Sequence, residues 1–237
     1  DTVSPEVTIE FEGSLKDKVD VDVAGQKPTR QTKTTADANT RYVYDGDITA
    51  TITVKEANFY EDMVVTVYRD DAVVTDSEIS AWVQTGDTYE FVKTIKLSKD
   101  GDYQIKLSYE DKTDNGMEYT GEYGQTGTTD YTSNIHTIDT TNPTYSFKIY
   151  EDADVVQTIG TRDYLDATKI GTIKITDRNF RPNEVNITVV AKDVKGDVVT
   201  SYTYSDLKSW NDWTAVDGED YTWTANVPFT TDANYTV

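Results

Sequence analysis

The sequence predicts an all-β protein made of two tandem β-sandwich domains. Three observations lead to this prediction: apolar and polar residues alternate in short runs, turn-forming dipeptides separate these runs, and the series of runs occurs twice. Alternation with a period of two places one set of side chains against a core and the other towards water. No convincing amphipathic helix interrupts the pattern, although single helical turns fit at 77–83 and 205–210.

The alternating runs are rich in β-branched and aromatic residues, which suit a pleated and half-buried surface. About seven short strands per copy with this spacing favour two packed antiparallel sheets. The runs of the first copy are Val7, Ile9 and Phe11; Ile48, Ala50, Ile52 and Val54; Tyr89 and Phe91; and Tyr103, Ile105, Leu107 and Tyr109.

Turns are predicted where a glycine adjoins a residue that favours a tight bend of the backbone. These dipeptides lie between the alternating runs, at the intervals expected of a sandwich. They are Asp45-Gly46, Gly86-Asp87, Asp100-Gly101, Asn115-Gly116, Lys195-Gly196 and Asp217-Gly218.

The repeat is visible from the first residues, because segment 1–5, Asp-Thr-Val-Ser-Pro, recurs as Asp-Thr-Thr-Asn-Pro at 139–143. Apolar positions then match in one order along both copies, which predicts one domain over 1–138 and a second over 139–237. The matched pairs include Val7 with Tyr145, Ile9 with Phe147, Phe59 with Phe180, Trp82 with Trp210, Phe91 with Trp223, Tyr103 with Tyr235 and Ile105 with Val237.

The two copies are predicted to be unequal. Segment 13–40, rich in Lys, Asp, Thr and Gln, has only a short counterpart in the second copy and is predicted to be a solvated loop insertion. Because Val237 matches Ile105, the second sandwich is expected to lack its last strand or strands. Truncation of a longer protein, an unseen remainder and completion by another chain are the alternatives for this end.

The composition excludes several classes of function. The chain has 43 acidic and 22 basic residues and a formal charge of −21, which repels nucleic acid and anionic lipid. It has no cysteine, so it forms neither a disulfide nor a thiolate metal site. No apolar run approaches the roughly 20 residues that span a bilayer, so membrane insertion is not expected.

Four motifs together resemble a known family. These are the opening Asp-x-x-x-Pro, the Asn-Phe that ends a strand at 58–59, the Asp-Gly-Asp-Tyr at 100–103 and the Ile-Asp-Thr-Thr-Asn-Pro at 138–143. They resemble the tandem bacterial immunoglobulin-like repeats of large Firmicutes (Gram-positive) cell-surface proteins. The resemblance covers essentially the whole chain and implies two immunoglobulin-like β-sandwiches in an extracellular protein of the cell surface or cell wall. Members serve as stalks, adhesin segments or accessory modules of secreted enzymes.

The expected function is therefore structural, with non-catalytic spacer modules that project or support an adhesive or other functional domain. The alternative is a binding module, either an adhesin that contacts a host protein or a carbohydrate-binding accessory domain. No catalytic, cofactor-binding or metal-binding residue is predicted, because the lone histidine, His136, is accompanied by no nucleophile motif. The expected partners are neighbouring modules of the same parent chain and a host protein or glycan.

Two kinds of site remain as hypotheses. A calcium ion could stiffen the joint between the copies near Asp139 and Asn142, whereas Pro143 alone would also limit the joint. A tryptophan platform could bind sugars, although the matched Trp82, Trp210 and Trp223 are expected in or beside the cores. Trp213 has no counterpart in the first copy and is expected to be partly exposed.

Overall fold

The computed structural model describes residues 2–20, 29–30, 40–75, 78–86, 89–121, 125–149, 155–159, 162–165, 169–201 and 206–237. In this part of the chain, strands dominate, and the helical residues form two short 3₁₀ turns, Pro182–Glu184 and Trp210–Asp212. The all-β prediction is confirmed. Among the described residues, no helix has the length and apolar character that crossing a membrane requires.

The chain divides into two compact units, unit 1 over Asp1–Thr140 and unit 2 over Thr141–Val237. Unit 1 contains strands that pair into one continuous network. They are β1 Glu6–Asp20, β2 Thr29–Arg30, β3 Thr40–Lys55, β4 Val64–Arg69, β5 Ala72–Val73, β6 Glu78–Ile79, β7 Val83–Gln84, β8 Glu90–Leu97, β9 Gly101–Ser108, β10 Glu118–Thr120, β11 Thr126–Thr128, β12 Tyr131–Thr132 and β13 Ile135–Ile138.

Strand β3 connects two layers of unit 1. Strand β1 pairs with both halves of β3. The second half of β3 also pairs with β8, which in turn pairs with β6 and β7. The first half of β3 also pairs in parallel with β13, which continues to β9, β4 and β5. The two layers share one core because alternate residues of both sets of strands face inward. Those core residues include Val7, Ile9, Ile52, Val54, Ile95 and Leu97 from the first layer, and Val67, Tyr103, Ile105 and Leu107 from the second.

The structure differs from the predicted loop insertion in the part of 13–40 that it describes. Strand β1 continues to Asp20, where it pairs with Thr40 of β3. The Asp45-Gly46 dipeptide is not a turn, so that prediction is wrong. Between the pairs Gly13 with Ile48 and Leu15 with Tyr44, three residues of β3 lie opposite one residue of β1. An irregularity of this kind lets a ladder continue past residues that would otherwise form a turn.

Other local predictions have mixed outcomes. Turns are present at Lys195-Gly196 and Asp217-Gly218, where Gly196 and Gly218 have φ of +90° and +74°. The turn predicted at Asn115-Gly116 is displaced to Lys112 and Thr113, and Gly116 forms a β-bridge with Glu110. The helical turn predicted at 77–83 is wrong in its described residues, which form β6 and β7 along β8. In unit 2 the 3₁₀ turn Trp210–Asp212 lies at the end of the predicted segment 205–210.

Unit 2 contains strands β14 Thr144–Lys148, β15 Val155–Ile159, β16 Arg162–Leu165, β17 Lys169–Thr176, β18 Val190–Lys192, β19 Thr214–Ala215, β20 Thr222–Phe229 and β21 Asn234–Thr236. They form a sheet in the order β14, β17, β20, β19 and two pairs, β15 with β16 and β18 with β21. Its core is smaller than that of unit 1. The buried side chains are Ile173, Ile175, Phe180, Leu207, Trp213, Ala225, Val227 and Phe229.

Each unit has a tyrosine whose hydroxyl forms a hydrogen bond with the backbone of the residue four positions earlier, in the turn before its strand. The Tyr103 hydroxyl donates to the carbonyl oxygen of Lys99 at 2.8 Å, and the Tyr235 hydroxyl donates to that of Thr231 at 2.6 Å. The backbone amides of Lys99 and Thr231 in turn donate hydrogen bonds to these two hydroxyl oxygens. Such a tyrosine corner is a hallmark of β-sandwiches. It lies near the start of a strand that follows a connection from one sheet to the other.

Candidate functional site

His136 lies in β13 within the core of unit 1 and is 1% exposed. Its ring stacks on Phe11 with 3.7 Å between the ring centroids, and its Nδ1 lies 3.1 Å from the Tyr44 hydroxyl oxygen. Tyr42 also packs against it, at 5.2 Å between centroids. Surroundings of this kind are typical of an intermediate-polarity residue held inside a core.

Two Asp-Gly-Asp segments, 45–47 and 100–102, resemble halves of calcium loops in sequence, but their carboxylates make ion pairs and hydrogen bonds within unit 1. Asp47 pairs with the Lys96 ammonium at 3.0 Å. Asp100 accepts hydrogen bonds from the amide and hydroxyl of Thr140, and Asp102 accepts one of 2.6 Å from the Thr137 hydroxyl. These contacts tie the β8 to β9 corner to the end of unit 1.

Asp139 and Asn142, the residues of the calcium hypothesis, fall in different units. The Asp139 amide donates to the carbonyl oxygen of Tyr44 in unit 1, and the Asn142 side chain is exposed. In the part of the chain that the structure describes, no group of three or more His, Asp or Glu side chains is arranged to hold a metal ion. The calcium site therefore stays a hypothesis.

Asp111 organises the turn that joins β9 to β10. Its carboxylate accepts hydrogen bonds from the amide and hydroxyl of Thr113 and from the amide and side-chain nitrogen of Asn115. Burial raises the pKa of Asp111, but these hydrogen bonds outweigh burial and lower the pKa to about 2. In unit 2, Asp193 accepts from the amides of Lys195 and Asp197 in the same way.

Acidification from about pH 4 to about pH 2 is expected to weaken unit 1 through Asp111. The pKa of this carboxyl lies below its ordinary value of 3.8, so its stabilisation is present above 3.8 and lost as the pH falls through about 2. Asp111→Ala should remove this part of the pH dependence and cost on the order of 2 kcal/mol at neutral pH.

The measurement is urea unfolding of wild type and Asp111→Ala between pH 2 and pH 7. Asp114→Asn is the matched control, since Asp114 is exposed in the same turn and has a φ of 59°, which asparagine tolerates. If Asp111→Ala retains the wild-type dependence on pH, the assigned role of this carboxylate is wrong.

The tryptophans belong to aromatic clusters at the cores. In unit 1, Phe59 packs against Trp82 and Phe91, with centroids 5.1 and 3.9 Å away. In unit 2, Phe180 packs against Trp210 and Trp223, with centroids 5.6 and 5.9 Å away. The expectation that Trp82, Trp210 and Trp223 lie in or beside the cores is confirmed, since all three are partly buried against them.

The expectation that Trp213 is partly exposed is wrong. Its side chain is 2% exposed, and its ring lies 4.8 Å from that of Phe180. The indole nitrogen donates a hydrogen bond of 2.8 Å to the carbonyl oxygen of Leu207, which satisfies the polar atom inside the core. Trp213 therefore adds to the core of unit 2 and offers no exposed face for a sugar.

A groove of about 720 Å³ opens on unit 2 beside β14. Ile173, Ile175 and Phe180 are buried at its base, whereas Tyr145 at its rim is 82% exposed. Most of the lining is apolar. The lining residues are Pro143, Tyr145, Phe147, Ile173, Ile175, Asp177, Asn179, Phe180, Arg181, Glu184, Val185, Asn186, Ile187, Thr188 and Val237.

The groove adjoins a strand edge. Within the described residues, β14 pairs only with β17. In unit 1, β1 pairs with β3 on one edge and in parallel with β10 on the other. Val7, at the β1 position matched with Tyr145, is 1% exposed. The groove of unit 2 thus combines apolar side chains with backbone groups that could pair with a further strand.

Comparison with known proteins adds no functional assignment. No protein-family model matches the chain, and no curated protein matches it. Sequence reasoning did not identify the groove as a site. Its lining residues come from separate segments of the chain that are brought together by the pairing of β14 with β17, and no local pattern marks them.

Proposed function

We propose that the chain consists of two tandem immunoglobulin-like modules of a Gram-positive cell-surface or secreted protein. They act as non-catalytic spacers that project or support an adhesive or other functional domain. The modules stand in series in the parent chain, outside the cell.

The strand pairing supports the immunoglobulin-like part of the proposal. In unit 1, β1, β3, β8 and the short β6 and β7 follow the order of strands A, B, E and D of such a sandwich. Strands β4, β9 and β13 follow the order of C, F and G in the facing sheet. The tyrosine corner occupies the expected place at the start of the F strand.

The observation that carries the spacer role is that the matched residues of the two copies build cores. Phe59, Trp82 and Phe91 pack together in unit 1 as Phe180, Trp210 and Trp223 do in unit 2. The tyrosine corners repeat as well. The two copies therefore share residues that build their cores, as expected of a module that is repeated along a chain.

A binding module is the second candidate function, and the groove of unit 2 favours it. An exposed apolar groove of this size on a small domain is typical of a binding surface. The carbohydrate form of this alternative has less support, because Trp213 is buried. A protein strand suits the groove better than a sugar ring, since the groove runs beside a sheet edge.

Single-molecule force spectroscopy on the chain tethered at both termini tests the spacer role. Because β1 is held along its length by β3, unit 1 should resist extension and then unfold in one event that releases about 400 Å. Gradual lengthening at low force, with no discrete event of that size, would contradict the spacer role. Pulling Ile52→Ala, with a weakened core, is the control and should lower the unfolding force.

A further inference from the structure

We propose that Asn115 is a site of spontaneous deamidation and that the Asp111 side chain restrains this reaction. The backbone nitrogen of Gly116 attacks the side-chain amide carbon of Asn115, and the product loosens the turn between β9 and β10. Residues 115–116 are the only Asn-Gly pair in the sequence. This inference stands on the turn alone and does not depend on the spacer role.

The reaction needs no partner beyond water. A bond forms between the Gly116 nitrogen and Cγ of Asn115, the Cγ–Nδ2 bond breaks, and ammonia leaves with the proton that the Gly116 nitrogen gives up. Water then opens the resulting five-membered imide ring at either of its two carbonyl carbons. The products are aspartate or isoaspartate, and in isoaspartate the backbone runs through the former side-chain carbon.

The attacking nitrogen is accessible in the structure. Gly116 lies opposite Glu110 in an antiparallel bridge, and the hydrogen bonds beside this bridge are donated by the amides of Asp111 and Met117. In a pair of this kind the N–H groups of the two opposed residues point away from one another. Gly116 is exposed, and a Cβ at this position would meet no heavy atom of the described residues within 4 Å.

The Asn115 carboxamide, by contrast, is held in place. Its Nδ2 donates hydrogen bonds of 3.0 Å to Asp111 Oδ2 and 2.7 Å to Thr113 Oγ1. Asp111 is ionised at neutral pH, because its hydrogen bonds lower its pKa to about 2, and a charged acceptor makes a strong bond. Attack requires aligned atoms about 3 to 3.5 Å apart. The carboxamide must leave both partners before it can rotate towards Gly116, which slows the reaction.

Deamidation should damage the part of unit 1 that follows the turn. The new carboxylate replaces a hydrogen-bond donor of Asp111 with a negative charge, and the two carboxylates repel one another. Met117, the residue after Gly116, is 0% exposed, and the next three residues form β10 along β1. Isoaspartate adds one atom to the backbone directly before this segment.

Peptide mapping by mass spectrometry measures the reaction in the full chain after incubation at mildly alkaline pH, which promotes loss of the Gly116 amide proton. Asn142 is the internal reference, because Pro143 has no backbone N–H to give up. We expect conversion at Asn115 to be at least about tenfold faster in urea than in the native chain, since urea removes the restraining bonds. Conversion at Asn142 should be far slower than at Asn115 in urea.

Asp111→Asn separates the restraint from the folding of the turn. An asparagine Oδ1 can still accept from the amides of Thr113 and Asn115, but a nitrogen in place of Oδ2 cannot accept from Asn115 Nδ2. Conversion at Asn115 in the native chain should become about tenfold faster. Lys112→Ala, at an exposed residue of the same turn, is the matched control and should change the rate by less than about twofold.

Two further variants test the acceptor and the nucleophile at exposed positions, where folding is retained. Thr113→Ala removes the second acceptor and should accelerate conversion about threefold. Gly116→Ala adds a methyl group beside the attacking nitrogen and should slow conversion at least about tenfold.

Asn115→Asp reproduces the aspartate product. It should lower the urea concentration at which unit 1 unfolds, and added salt should reduce the difference from wild type by screening the repulsion.

The proposal is overturned if Asn115 converts no faster than Asn142 in unfolded chain. It is also overturned if Asp111→Asn and Thr113→Ala leave the native rate unchanged or lower it, if Gly116→Ala does not slow the reaction, or if Asn115→Asp unfolds at the same urea concentration as wild type.

Discussion

Replacing Trp213 with alanine is expected to lower the free energy of unfolding of unit 2 by about 3 to 5 kcal/mol. The side chain is 2% exposed and packs on Phe180, so its removal leaves a large cavity. It also leaves the carbonyl oxygen of Leu207 without the indole donor. Unit 2 has a small core, so a loss of this size should leave much of it unfolded at room temperature.

Denaturant unfolding followed by hydrogen exchange at the amides of β17 and β20 measures this loss in the full chain. Tyr145→Ala is the control and should change stability by less than about 0.5 kcal/mol, since the residue is 82% exposed. If Trp213→Ala costs less than about 1 kcal/mol, the ring is not a core element, and a sugar-binding role regains support.

The sequence was sufficient to predict the parts of the fold that depend on local alternation. Along β9, Tyr103, Ile105 and Leu107 are buried, and the polar residues between them are partly or fully exposed. Period-two patterning is reliable there because the strand has one face on the core and one towards solvent. The same alternation correctly indicates β1 from Val7 to Phe11.

The local signals failed where pairing between distant segments overrides them. Asp45-Gly46 has the composition of a turn, but β1 pairs with β3 on both sides of it. The turn at Asp70 and Asp71 was not predicted because it contains no glycine. The two residues nevertheless have positive φ angles of 50° and 63°. Strand pairing with distant segments therefore decides whether such a dipeptide forms a turn or remains in a strand.

The candidate site was the least predictable feature. The sequence predicts a partly exposed Trp213 because the first copy has no counterpart of it, but a residue can lie in the core of one copy without a matching residue in the other. The groove arises from the absence, among the described residues, of a second strand beside β14. The presence of the groove depends on which strands pair with β14, and the sequence of β14 alone does not predict those partners.

Among the described residues, β14 of unit 2 has no second strand beside it, whereas the matched strand β1 of unit 1 is paired on both sides. Matched replacements of a core isoleucine by alanine test this difference most directly. Ile52 faces Ile9 across the β1 to β3 ladder and is fully buried, whereas Ile173 faces Phe147 and lies at the base of the groove. Replacing a buried isoleucine with alanine lowers the free energy of unfolding most where the surrounding side chains cannot relax into the cavity.

We therefore expect Ile52→Ala to cost about 3 to 4 kcal/mol and Ile173→Ala about 2 kcal/mol or less. Thr51→Ala and Thr172→Ala, on the same strands and partly exposed, are matched controls with small and similar effects. The measurement is the unfolding free energy of each unit from native-state hydrogen exchange in the full chain. A difference of at least about 1 kcal/mol between the two isoleucine variants supports the open groove, and equal costs would contradict it.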